Sequence, residues 1–154
     1  MKKNEIVGIL VDVYNQKIEK HVIQYDSDDD YYEQKKKLLR CSYIDSKRVA
    51  FKNVDTYIFF DDMGKIREDR EQIPGILLVN KNTGAICDYI SGNCFIEKLD
   101  MSIEDTVSFS ELEITWIMQC KKNVMFVRDD YKINSSLVLV SRENWVNILH
   151  SKVD

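Results

Sequence analysis

Glycine and proline are scarce in this chain, which has 5 glycines and 1 proline among 154 residues. The few glycines form no GxGxxG, P-loop or GxSxG sequence, so neither a glycine-rich phosphate loop nor a nucleophile elbow is expected. Long apolar runs are also missing, and no segment approaches the roughly 18 apolar residues of a membrane-spanning helix. The first apolar stretch is interrupted by Asp12, which argues against a signal peptide.

Residues that hold metals or act as nucleophiles lack the spacing that such sites need. The two histidines, His21 and His150, belong to no HExxH or HxxxH pattern. Four widely separated cysteines form no CxxC pair, and we expect them to be reduced, buried thiols: Cys41, Cys87, Cys94 and Cys120. The sequence therefore predicts no cofactor and no metal site, and it gives little support for catalysis.

The charge balance limits the kinds of partner. The chain has 22 basic and 26 acidic residues, a net charge of −4. Binding to duplex nucleic acid needs a basic face that replaces counterions, so a duplex partner is not expected. A small anionic ligand held by a few basic groups in one pocket remains compatible with this composition. The length suits one domain with a sizeable core.

What the chain does contain is a series of short alternating apolar segments. Residues 5–25 predict a β-hairpin that turns at Asn15-Gln16, and residues 76–90 predict a second one. Two more strands are predicted on either side of Lys52-Asn53, and "CFIEKL" predicts another strand. The pattern indicates an α+β fold, a mainly antiparallel sheet built from hairpins with two or three flanking helices.

The helices are predicted from capping residues and amphipathic spacing. Ser27 precedes a helix over residues 28–39, whose acidic start and basic end match the helix dipole. Ser110 precedes a second helix, with Leu112 and Trp116 on one face and Ile114 and Ile117 nearby. The chain after residue 123 offers two strands and a short helix capped by Ser141. We predict one domain over residues 1–123 and an extension, 124–154, that packs on it.

The adjacent carboxylates Asp61 and Asp62 resemble a metal or acid/base pair. Neighbouring residues on a strand point to opposite faces, so they cannot easily share a ligand. An aspartate beside a glycine, here Gly64, is typical of a turn in which glycine takes positive φ. The turn interpretation is therefore favoured.

The most basic stretch outside a helix is "DSKRVAFKN", residues 45–53. Lys47 and Arg48 could pair with phosphate oxygens, and Phe51 and Tyr57 could stack on a base. Further hydrogen-bonding candidates are Asn53 here and Ser91 and Asn93 in the later turn "SGNC". On residue chemistry alone, the outward polar face of a hairpin and ordinary turn chemistry explain both segments at least as well.

The order of these segments resembles a family of small phage and prophage proteins that includes the Thoeris anti-defence sponge of the second type. The likeness runs from Glu5 to Lys122. It rests on an opening hairpin with "ILV", an acidic helix, "CSYIDSKRV", "FFDDMGK", "SGNCFI" and "SFSELEITWI". The chain departs from the family at "AFKN", where members often have a glycine pair, and at "REDREQIP".

The resemblance implies a non-enzymatic, oligomeric protein in the cytoplasm of an infected bacterium. Such a sponge would sequester a cyclic ADP-ribose isomer or a cyclic oligonucleotide used in nucleotide-based immunity, without cleaving it. The ligand-binding candidates would then be Lys47, Arg48, Phe51, Asn53, Tyr57, Ser91 and Asn93.

Two other functions stay open at this point. The chain could be an interaction module that inhibits a host defence protein directly, docking through Trp145, Ile148 and Leu149 of the last helix. It could also be a hydrolase that destroys the signal. Recovery of intact ligand after denaturation would separate binding from hydrolysis.

Overall fold

The fold is described by a computed structural model over residues 4–51, 54–69, 72–120, 124–128, 131–140 and 143–147. Ten strands form one antiparallel sheet: β1 Asn4–Asp12, β2 Lys17–Tyr25, β3 Ile44–Phe51, β4 Val54–Asp61, β5 Gly75–Asn80, β6 Ile86–Ser91, β7 Cys94–Asp100, β8 Asp105–Val107, β9 Val124–Arg128 and β10 Tyr131–Val140. The helices are α1 Asp28–Leu39 and α2 Glu111–Cys120, with a 3-10 turn at Gly64–Ile66 and helical residues 143–147. The predicted α+β class, with an antiparallel sheet built from hairpins and flanking helices, is confirmed.

Five of the nine strand pairings in the described residues are hairpins, and three of these, β1–β2, β3–β4 and β5–β6, were predicted from the alternating patterns. The order is β2-β1-β7-β4-β3-β9-β10-β5-β6, and β8 pairs with β7. The first hairpin turns at Asn15 and Gln16, where the Asp12 carboxylate accepts hydrogen bonds from the backbone and side-chain nitrogens of Asn15.

The strands that follow residue 123 lie within the sheet. β9 pairs with β3 on one side and with β10 on the other, and β10 pairs with β5. The segment that the sequence suggested as an extension therefore connects the two halves of the sheet, β2-β1-β7-β4-β3 and β5-β6.

The main core lies on one face of the sheet, and a second cluster lies on the other. The main core is built from alternate residues of the strands together with Ile114 and Ile117 of α2. On the opposite face, α1 packs through Leu39 against Ile6, Leu10 and Phe95. Because strand side chains alternate between faces, β1 supplies both clusters from successive residues.

Helix α1 begins and ends with side-chain and backbone caps. The Ser27 hydroxyl accepts a hydrogen bond from Asp30 N (3.1 Å), as the sequence predicted. At the other end, Arg40 N donates to Lys37 O (3.3 Å) and Cys41 N donates to Lys36 O (3.1 Å). This pair of bonds is a Schellman motif, in which the turning residue usually is glycine. Here that residue is Arg40, with φ 52° and ψ 48°.

Helix α2 starts with a reciprocal capping box. Glu113 N donates to the Ser110 hydroxyl (3.1 Å), and Ser110 N donates to the Glu113 carboxylate (2.9 Å). The predicted buried face was wrong in one respect, because Leu112 is 80% exposed while Ile114 and Ile117 are buried. A helix of this length offers several apolar spacings, and the sheet selects the one that contains the two isoleucines.

The helical residues 143–147 pack on the outer side of the β5–β10 region. Trp145 is fully buried there against Leu77 and Val140, and its ring stands edge-on to Tyr89. The interaction hypothesis used Trp145 as a docking residue, whereas the structure places it inside the protein. Ile148, Leu149, Ser141 and His150 lie outside the described residues. No helix in the described ranges is long and apolar enough to cross a membrane.

Candidate functional site

The two predicted phosphate-binding residues lie on opposite faces of β3. Lys47 points to the main-core face, since it shares that face with Val49 and Phe51. Its ammonium forms an ion pair with Asp88 (2.5 Å), which also binds Lys65 (2.6 Å). Arg48 points to the other face. The structure therefore does not bring Lys47 and Arg48 together in one pocket.

Arg48 has Tyr57 as its neighbour across the β3–β4 pair. Its guanidinium contacts the Asp55 carboxylate at 3.3 Å. Phe51 is 1% exposed and belongs to the main core, so its ring has no free face for stacking. Asn53 lies outside the described residues. Of the predicted hairpin set, only Arg48 and Tyr57 are adjacent on one face.

The two candidates in the "SGNC" turn are buried. Ser91 is 5% exposed, and its hydroxyl has no hydrogen-bond partner among the described atoms. The Asn93 side-chain oxygen accepts from Val13 N (2.9 Å), and its nitrogen donates to Leu38 O (3.1 Å). Asn93 thus ties the first hairpin to the end of α1, a structural role.

The Asp61-Asp62 pair forms a turn. Asp61 ends β4, and its carboxylate accepts hydrogen bonds from Met63 N (2.9 Å) and from the Arg67 guanidinium (3.1 Å). The expectation of positive φ at Gly64 was wrong, because Gly64 opens the 3-10 turn. Gly64 instead allows a close approach to the backbone of Ser91, since a Cβ there would lie 3.1 Å from Ser91 O. No group of three or more metal-binding side chains occurs in the part of the chain that the structure describes.

The structure reveals a basic cleft where α1 ends and the chain enters β3. Its volume of about 650 Å³ falls in the range of small-molecule sites. Four basic and two acidic side chains line it, together with four uncharged ones. The lining residues are Glu33, Lys36, Lys37, Arg40, Cys41, Ser42, Tyr43, Asp61, Met63 and Arg67. We refer to this set as the basic cleft.

Arg67 forms the fixed wall of the basic cleft. Its guanidinium donates to the Asp61 carboxylate (3.1 Å), to the Asp69 carboxylate (2.9 and 3.0 Å) and to Arg40 O (3.2 Å). These bonds join the 3-10 turn region to the end of α1. Arg67 is therefore committed to structure, and among the other cations only Lys37 and Arg40 are exposed.

Lys37 and Arg40 are the exposed cations of the basic cleft. The Arg40 guanidinium lies over the Tyr14 ring, 3.8 Å from its centre. Lys36 pairs with Glu33 one turn earlier (2.7 Å). The carbonyls of Lys36 and Lys37 accept from backbone amides, and the carbonyl of Leu38 accepts from the Asn93 side chain. Lys37 and Arg40 are thus not needed to cap the helix.

The backbone at Arg40 lies in the left-handed region, as it also does at Gln16 and Glu104. A side chain in the left-handed region costs roughly 1–2 kcal/mol, and glycine avoids this cost at the same position. Strained positions of this kind cluster at functional sites. The arginine places a guanidinium at the mouth of the cleft, where glycine would place none.

The opposite side of the cleft supplies aromatic and polar groups. Tyr43 is 64% exposed and Met63 is 42% exposed. Ser42 presents a hydroxyl between Tyr43 and Cys41. Burial raises the pKa of the Cys41 thiol to about 11, so it is a thiol and not a nucleophilic thiolate at neutral pH. The arrangement suits binding of an anion that carries a flat ring.

A buried ion pair lies beneath the same helix. Lys35 Nζ contacts Glu97 Oε2 at 2.7 Å, and their side chains are 7% and 0% exposed. Glu97 also accepts from the hydroxyls of Tyr31 and Thr106, and the Lys35 ammonium lies 3.6 Å from the centre of the Phe59 ring. Burial raises the pKa of Glu97 to about 8 and lowers the pKa of Lys35 to about 8. The two groups titrate as a unit that anchors α1 to the sheet.

The basic cleft was missed in the sequence because its residues come from three separate segments. The helix dipole already accounts for the lysines of α1, and Arg67 belongs to no motif that indicates a site. One signal was present, namely the absence of a glycine after a well-defined helix end. Arg40 stands where glycine is usual.

Models of protein families, curated proteins and solved structures were compared with the chain, and none of them matches it. The likeness to the phage sponge family therefore stays a prediction that rests on the short motifs.

Proposed function

We propose that this chain binds a small phosphate-bearing nucleotide ligand in the basic cleft and holds it without cleaving it. The observation that carries the proposal is the meeting of exposed Lys37 and Arg40 with the exposed Tyr43 ring in one cleft of about 650 Å³. Phosphate would pair with the two cations, and a base would stack on Tyr43.

The acidic and hydroxyl groups of the cleft add to this match. Glu33 can accept hydrogen bonds from ribose hydroxyls or base amino groups, and Ser42 can donate or accept. A site for inorganic phosphate alone gains nothing from carboxylates, which repel it. A nucleotide uses both kinds of group.

The resemblance narrows the proposed ligand to a cyclic ADP-ribose isomer or a cyclic oligonucleotide. On that proposal, the protein is a phage sponge that removes an immune signal in the cytoplasm of the bacterial host. The raised pKa of Cys41 is consistent with storage of the ligand rather than attack on it.

A release assay tests the proposal. The protein is incubated with cyclic ADP-ribose isomers and cyclic dinucleotides, freed of unbound ligand, denatured, and analysed by mass spectrometry. Release of an intact nucleotide is expected. Recovery of a cleaved product would replace the sponge by a hydrolase.

Two sets of variants decide where the ligand binds. Lys37→Gln/Arg40→Gln should abolish capture, whereas Lys47→Gln/Arg48→Gln, which tests the residues predicted from the sequence, should retain it. Lys17→Gln, an exposed lysine of β2 paired with Glu19, is the control for loss of a positive charge. The reverse pattern would overturn the assignment of the cleft.

Absence of any capture would favour the direct inhibition of a host protein. That function would need a surface other than Trp145. The side chains of Met101 and Ile103, which are exposed in the turn between β7 and β8, are where such a surface would be sought.

A further inference from the structure

Helix α1 carries the two signs of charge at its opposite ends. Asp26, Asp28 and Asp29 are exposed at its start, and no ion pair is found for them among the described residues. Asp30 differs, because its carboxylate accepts from Asp26 N and from the Gln34 side chain. We refer to Asp26, Asp28 and Asp29 as the acidic end of α1.

We propose that the basic cleft of one copy of this chain accepts the acidic end of α1 from a second copy. The interaction uses the cleft of the proposed function, but it requires no nucleotide. It names the interface of a homo-oligomer, and it predicts that a nucleotide and a second copy compete for the same cations.

The occupant has to come from another molecule. Helix α1 has 12 residues, so its ends lie about 18 Å apart at 1.5 Å per residue. The helix is fixed to the sheet by Leu39 and by the Lys35–Glu97 pair. The acidic end therefore cannot fold back into the cleft at the other end of the same helix.

The two surfaces match in more than charge. The helix dipole explains why acidic residues precede lysines within α1. It does not explain the exposed side chains that other segments contribute to the cleft. Tyr43 and Met63 expose apolar surface beside Lys37 and Arg40, and Tyr32 is 43% exposed one turn after the acidic end. An interface of this type has charge pairs flanked by apolar contacts.

The geometry of the contact is head to tail, because the two patches differ. Such a contact repeats from one molecule to the next and gives rings or open chains rather than a closed two-fold dimer. Each exposed ion pair contributes only about 0.2–1 kcal/mol. The association is therefore weak, and it falls as added salt screens the charges.

Mixing two defective variants tests the interface. The acidic-end variant is Asp26→Asn/Asp28→Asn/Asp29→Asn, and the cleft variant is Lys37→Gln/Arg40→Gln. In sedimentation velocity at about 0.05 M salt, wild type should show a sedimentation coefficient that rises with concentration. Each variant alone should remain a monomer. An equimolar mixture should form one-to-one dimers and nothing larger, since each variant keeps one intact half of the contact.

A matched control changes the same amount of charge elsewhere. Glu5→Gln/Glu19→Gln/Glu104→Gln removes three carboxylates that lie outside α1, and it should associate like wild type. Thermal unfolding monitored by circular dichroism establishes that every variant is folded. Monomeric wild type at all concentrations, self-association of either defective variant, or a mixture that stays monomeric would overturn the interface.

Adding nucleotide afterwards separates this inference from the proposed function. Dissociation of wild-type oligomers by a captured nucleotide would support both. Association without capture of any nucleotide would leave the interface standing and reject the ligand proposal. Capture of a nucleotide without self-association of the protein would support the ligand proposal and reject the interface.

Discussion

Replacing Lys35 by methionine should make the stability of this protein strongly dependent on pH. The substitution leaves Glu97 fully buried with only the hydroxyls of Tyr31 and Thr106 as partners. Removing one partner of a buried pair costs about 3–5 kcal/mol, because the remaining charge stays uncompensated. We expect a loss of this size for Lys35→Met near pH 8.

The sign of the pH dependence follows from the pKa of Glu97. Burial already raises that pKa from 4.5 to about 8, and loss of the lysine removes a charge that opposes the rise. The folded variant therefore binds a proton that the unfolded chain releases. Its stability is retained below pH 4.5 and decreases as pH rises through 8, by at most about 1.4 kcal/mol per unit.

Glu97→Gln should show the opposite slope. Here Lys35 is a buried cation, and burial lowers its pKa from 10.5 to about 8. A group whose pKa is depressed in the folded state makes the folded protein less stable as pH falls through that pKa. The loss of stability in Glu97→Gln should therefore be largest below pH 8 and diminish toward pH 10. The double variant Lys35→Met/Glu97→Gln has no buried charge at this position under α1, and it should recover most of the loss at both extremes of pH.

Urea denaturation of the four proteins from pH 5 to pH 9.5 measures these free energies of unfolding. Lys35→Met can be studied near pH 5 even if it unfolds at pH 8. Equal, pH-independent losses in the two single variants would refute the reasoning, because packing alone would then account for them.

Three further predictions concern the helix caps and the packing of Trp145. Arg40→Gly should leave the thermal midpoint unchanged or raise it, since relief of roughly 1–2 kcal/mol of backbone strain offsets the lost contact with Tyr14. The same variant should weaken nucleotide capture. A clear fall in the midpoint would contradict the presence of backbone strain at Arg40. Gly75→Ala should cost several kcal/mol in urea denaturation, because the new methyl group meets both the Trp145 ring and the backbone oxygen of Ile90, and an unchanged midpoint would mean that both can move aside. Ser110→Ala should cost about 1 kcal/mol by the same measurement through loss of the α2 cap, and retention of full stability would show that the Ser110 hydroxyl does not stabilise the helix.

Local sequence signals predicted local structure well. Ser27 and Ser110 each precede a helix because a hydroxyl cap needs only neighbouring amides, and the hairpins need only alternation and a turn. The order of the strands was out of reach, because the pairing of β9 with β3 joins segments more than 70 residues apart. No periodicity within either strand specifies that partner.

The site was predicted less well than the fold, and one of its errors could have been avoided from the sequence alone. Adjacent residues of a strand face opposite sides, so Lys47 and Arg48 could not serve one ligand once both were assigned to β3. The same argument correctly separated Asp61 from Asp62. Arg40 and Arg67, in contrast, meet only because α1 packs on the sheet, and tertiary packing is not encoded in either segment alone.

The central position of the β9–β10 hairpin has a consequence for synthesis on the ribosome. Until residues 124–140 have left the exit tunnel, β3 and β5 each present a row of unpaired backbone groups, and such edges invite pairing with other chains. The sheet can therefore become continuous only after the chain has been made as far as β10. Because these two edges are exposed early, we expect the nascent chain to bind chaperones. We also expect a chain terminated after α2 to aggregate.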